Sequence, residues 1–131
     1  MRITTLVLAA VLPLTMPLVA RANIVDINWA GPEFAYKASI APKKFLEVCG
    51  KLEKDSKVAW RFKGSAPSDF NIHYHVGNDV VYPENRKNIA LAEGVLPVPR
   101  QDDYCWMWSN RATEPITIEL TLSRGPDTQK K

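Results

Sequence analysis

The chain has 131 residues, room for one domain, and carries 17 Lys and Arg against 14 Asp and Glu. No block of basic residues forms a nucleic-acid footprint, and no charged stripe runs along any segment, so nucleic acid is excluded as the expected partner.

The first 22 residues read as a secretory signal peptide. Arg2 supplies a positive start, Ile3 to Val19 is free of charge, and Ala20-Arg21-Ala22 offers small residues for cleavage before Asn23. Pro13 and Pro17 interrupt this short run, so no stable membrane span is expected after cleavage. Without Arg2 and Arg21 the mature chain is close to neutral, at about +1. Two cysteines in an exported chain predict one disulfide, Cys49–Cys105. The long loop it closes would stabilise the fold by roughly 4 kcal/mol in the chain-entropy model.

Ten prolines and many β-branched or aromatic residues point to an all-β domain over residues 23–123. Asn23 to Ala30 alternates as a first edge strand, ended by Gly31-Pro32; Glu33 to Ile40 is a second short strand. Phe45 to Leu52 places Leu46, Val48 and Leu52 on one face and Cys49 on the other. After the turn at Lys54 to Lys57, the segment Lys57 to Lys63 points Val58, Trp60 and Phe62 inward. Gly64 to Ser68 reads as a loop. Asp69 to Val76 turns Phe70, Ile72, Tyr74 and Val76 to one side and Asn71, His73 and His75 to the other. Gly77-Asn78 forms a turn into Asp79 to Tyr82, which Pro83 ends; residues 84–94 read as a polar loop. Val95 to Arg100 carries Pro97 and Pro99 and is at best an edge strand.

Asp103 to Asn110 is the densest signal. Tyr104, Trp106 and Trp108 share one face of a central strand, and each large aromatic buries roughly 150–250 Å². Ile116 to Ser123 closes the domain with Ile116, Ile118, Leu120 and Leu122 inward, and residues 124–131 read as a disordered tail. The predicted fold is an antiparallel β-sandwich of about seven to nine short strands. Its core is expected to hold Trp60, Phe62, Phe70, Ile72, Tyr74, Tyr104, Trp106, Trp108, Ile118 and Leu120.

The order of these motifs resembles the GOLD (Golgi dynamics) domain, an interaction module with a β-sandwich fold. Lys57-Val58-Ala59-Trp60-Arg61-Phe62 is followed by Asp69-Phe70-Asn71-Ile72-His73-Tyr74, then by Asp103-Tyr104-Cys105-Trp106-Met107-Trp108-Ser109-Asn110 and a last alternating strand. The match runs from about Glu33 to Ser123. It departs from the family where the strand cysteine would fall at Met107 and stands instead at Cys105. The first cysteine, Cys49, also comes later than the family's, which falls near Phe45. The coiled coil and membrane span of the family's cargo receptors are not in this sequence. The resemblance therefore implies a soluble exported version, bacterial and periplasmic, that binds another exported or membrane protein.

His73 and His75 are the only histidines, and i,i+2 spacing on a strand puts both on one face. With Met107, Asn71 or Glu84 they could hold copper or zinc, although two histidines fall short of the three or four ligands of a firm site. Without a metal, Asn71, His73 and His75 are a partner-binding face, joined by the 83–100 connection. Asn110 is expected to close a turn through its side chain. No catalytic residue and no cofactor is expected. The sequence has no GxSxG elbow, no phosphate-cradling glycine loop and no HExxH helix. Asp102 and Asp103, being adjacent on a strand, face apart. Cys105 beside His73 would be the remaining nucleophile, and the bridge to Cys49 removes it.

Overall fold

Period-two alternation is realised in seven strands and no helix, in a computed structural model that describes residues 23–125. They are β1 (Asn23–Asp26), β2 (Glu33–Ile40), β3 (Phe45–Leu52), β4 (Lys57–Val76), β5 (Asp79–Pro97), β6 (Asp102–Ser109) and β7 (Ile116–Arg124). The expected signal peptide lies outside the described residues, as does the tail beyond Gly125. Arg124 itself belongs to β7, where its guanidinium donates to Gly31 O and lies over the Trp29 ring.

The strands form a single curled sheet in the order β1-β3-β6-β4-β7-β2, with β5 added along β4. All pairs are antiparallel except β1 with β3, which is parallel. β4 makes the curl. Its first half, Val58 to Gly64, pairs with β7, and its second half, Asp69 to His73, pairs with β6. One strand thus serves two half-sheets whose inner faces meet.

Two segments expected to be loops are strand. Residues 64–68 and 84–94 belong to the long β4–β5 hairpin, so two of the seven strands are not short. The breaker residues that suggested loops sit in bulges, where a missing donor or an unusual backbone is tolerated. Lys63 faces Leu91 and Ser68 faces Ile89, so Gly64, Ser65, Ala66 and Pro67 stand opposite Ala90 alone. A Cβ on Gly64 would meet Ala66 O at 2.9 Å, so this fold-back depends on glycine. Tyr82 and Pro83 together stand opposite His73, and Lys87 and Asn88 opposite Asp69, with Asn88 at φ 54°. β5 has β4 on one side only, and an edge position accepts proline.

The core lies between the half-sheets. Trp60 and Phe62 from the first half of β4 meet Phe70, Ile72 and Tyr74 from the second, and all five are buried. Trp108 packs edge-on to Phe62 at 5.4 Å and lies 5.4 Å from Phe70, while Tyr104 lies 4.7 Å from Tyr74. Trp106, Ile118 and Leu120 are buried with them. Cys49 and Cys105 face each other across β3 and β6 and are joined by a disulfide.

Asn110 pins one end of the sandwich. Its buried amide nitrogen donates to Ile40 O at 3.0 Å and Glu114 O at 2.8 Å, and its Oδ1 accepts from Ala112 N at 2.9 Å. The turn-closing role read from the sequence is what this residue performs, and it ties the β6–β7 loop to the end of β2.

Candidate functional site

β3, β6, β4 and β5 lie side by side, so residues in register form rows across the face turned away from the core. One row is Glu47, Met107, Asn71 and Asn85; the next is Cys49, Cys105 and His73. His75 follows on β4, opposite Val80. The alternation placed Asn71, His73 and His75 on one face, and they share it.

They are not equally available. His73, expected to be presented to a partner, is only 7% exposed. Its Nδ1 bonds Asn71 Oδ1 at 2.8 Å, its Nε2 lies 3.9 Å from Glu47 Oε1, and the rings of His75 and Tyr82 stand 5.4 and 5.9 Å from it. Strand alternation sets which side of a sheet a residue is on, not what its neighbours lay over it. Here Tyr82, pushed out by the Pro83 bulge, roofs the imidazole. His75 and Tyr82 are the exposed members of the group.

Burial holds the pKa of His73 below the ordinary histidine value; the Glu47 carboxylate opposes this and His75 reinforces it. The ring is therefore neutral at pH 7. Because the unfolded chain binds this proton more readily than the folded one, stability is full above the unfolded value near 6.5. It declines as pH falls from there toward the lowered folded value. Melting temperature measured from pH 8 to pH 5 should fall across that window, and His73→Gln should flatten this part of the profile. An unchanged slope in the variant would assign the titration to another group.

The metal reading lacks its donors. Among the described residues, the one cluster of three His, Cys, Asp or Glu side chains near enough to share an ion is Glu47, Cys49 and Cys105, and the disulfide consumes both sulfurs. Glu84 pairs with Ile72 and so belongs to the opposite face, where it holds Arg86 Nε at 3.1 Å. Met107 sits in the row of Asn71 rather than that of His73. Among the described residues, no His, Cys, Asp or Glu lies close enough to both histidines to share an ion with them.

Sequence reading missed a groove beside this face. Tyr74, Val81, Tyr82, Pro83, Pro97, Val98 and Pro99 line a depression of about 550 Å³, with Asp55, Ser56 and Lys57 at its rim. Val81 and Tyr82 of its lining are exposed, Tyr82 by 51%, and the neighbouring Val80 is exposed on the side of His75. These apolar side chains stand on hydrogen-bonded strand rather than on a free loop. The signal was present in Val80-Val81-Tyr82-Pro83, but the proline read as a terminator.

The geometry defines an all-β module with one disulfide, a sealed aromatic core and an exposed apolar patch on a rigid hairpin. No family model matches this chain, and no curated protein matches it. Solved structures do share the fold. It is similar to Aeromonas hydrophila PliG, a periplasmic lysozyme inhibitor of g-type lysozyme, at TM-score 0.60 and 15% identity, covering 79% of this chain and 96% of that one. Salmonella Typhimurium PliG, of the same description, superposes at TM-score 0.57 and 13% identity, covering 79% and 98%. Yersinia pseudotuberculosis-derived mitogen does so at 0.56 and 11%, covering 77% and 92%. At these identities the likeness is one of fold.

Proposed function

We propose that this chain is an exported, non-enzymatic protein-binding module whose partner is a lysozyme. The observation that carries the reading is the exposed Val80-Val81-Tyr82 edge beside the proline-lined groove. Rigid backbone bearing an exposed aromatic anchor next to a concavity is the usual anatomy of an interface centre. The periplasmic lysozyme inhibitors that share the fold nominate the class of partner and support an exported location.

The test is inhibition of purified g-type lysozyme by residues 23–131, read as slowed lysis of a cell-wall suspension. Binding is followed in parallel by calorimetry. Tyr82→Ala should fold normally and weaken binding at least tenfold, the scale of a truncated interface anchor. Full lysozyme activity at a large molar excess of the chain would reject the lysozyme. Unchanged affinity in Tyr82→Ala would reject the surface.

A further inference from the structure

At the end of the sandwich where the β2–β3 and β6–β7 loops lie, about 13 Å along β4 from the position facing Tyr82 at the rise of a strand, two basic side chains meet one carboxylate. Asp69 Oδ2 accepts from Arg111 Nε at 2.9 Å and from Lys87 Nζ at 3.5 Å, while its Oδ1 accepts from the Asn88 backbone N–H at 3.1 Å. Lys43 Nζ donates to Arg111 O. The layering matters more than the pairing. The Asp69 side chain is 18% exposed, whereas Lys87 and Arg111 are 70% and 74% exposed. The anion lies beneath and the cations lie on top, so the surface offered to a partner is positive. Lys44 is exposed on the same loop as Lys43, and Glu114 is the further carboxylate of the Arg111 loop.

We infer that this end, built from Lys43, Lys44, Lys87 and Arg111 over Asp69, is a docking surface for an acidic protein face. Three features of the structure favour this over adventitious surface charge. The loop bearing Arg111 is held from below by the buried Asn110, so the guanidinium is presented from a fixed backbone. Asp69 holds Arg111 through Nε, which keeps both terminal nitrogens for a bidentate carboxylate. Burial works against charge on Asp69, yet the Asn88 N–H, Arg111 and Lys87 outweigh it and keep its pKa below the ordinary aspartate value, so the anchor persists through mildly acidic conditions. A membrane is the poorer occupant. Among the described residues the large exposed apolar side chains are Ile24, Val80, Val81, Tyr82, Leu91 and Val95, and none lies on the 41–45 or 110–115 segments that an interfacial anchor would insert.

This surface presupposes the protein-binding reading but does not involve Tyr82, so the two can fail separately. The probe is poly-L-glutamate, titrated into residues 23–131 at low and at near-physiological salt. Vesicles of anionic phosphatidylglycerol and inorganic phosphate serve as the competing arms. Wild-type chain should bind the polypeptide with an affinity that falls steeply as salt screens the charges. Lys87→Glu/Arg111→Glu should weaken it at least tenfold, while Lys51→Glu/Lys54→Glu and Tyr82→Ala leave it within twofold. Equal losses in the Lys51/Lys54 variant would reduce the effect to net charge and overturn the site. Binding to vesicles or phosphate without binding to polyglutamate would overturn the acidic protein as occupant.

Discussion

Trp108→Ala should lower the unfolding free energy by about 3–5 kcal/mol, the range for truncating a buried aromatic. The side chain is fully buried and packs against both halves of β4 where they meet: Phe62 comes from the first half, Phe70 from the second, and both rings lie 5.4 Å from it. The cavity left by alanine cannot be closed by moving one strand, because β6 is held by β3 on one side and β4 on the other. Domains of this size commonly have only about 5–15 kcal/mol of stability, so the variant should approach the edge of folding. Urea denaturation followed by tryptophan fluorescence, with Trp60 and Trp106 still reporting, measures the loss. Trp108→Phe keeps an aromatic in place and should cost clearly less. Equal costs for alanine and phenylalanine would mean that the ring contacts contribute little beyond what the remaining core supplies.

Removing the disulfide should cost about 2–5 kcal/mol. The bridge joins directly opposed residues of β3 and β6 that are 56 positions apart in the chain, so the unfolded state loses a large closed loop when it is cut. Cys49→Ala/Cys105→Ala and reduced wild-type chain should unfold at similar, lowered denaturant concentrations. The bond also borders His73 through the Cys105 register. Its loss should therefore bring His73 further into solvent and move the imidazole pKa back toward the ordinary value, visible by proton NMR titration. An unchanged unfolding midpoint in the alanine pair would show that the strand ladder alone fixes this part of the sheet.

Much of this architecture could be read from spacing. Trp60 and Phe62, Phe70 to Tyr74, and Tyr104 to Trp108 each alternate without interruption, and one buried face demands that pattern. The failures cluster on the β4–β5 hairpin, where Pro67, Pro83 and the glycine at 64 are strong local stop signals. They did not stop the chain, because bulges absorbed them and the edge of β5 had no ladder to break. The same bulge lifted Tyr82 over His73 and turned an expected contact residue into a covered one. Arg111, Lys87 and Lys43 gave no sequence signal as a group, because they come from three separate segments.

What the sequence determined by itself was the all-β class, the inward set of aromatics and the partners of the single cross-link; these depend on periodicity and on cysteine arithmetic, both local in the chain. What only the tertiary structure decided was which outward residues stay outward. That depends on which strand lies beside which and on where the ladder slips by a residue, and no linear pattern encodes a neighbour that arrives from far away in the chain.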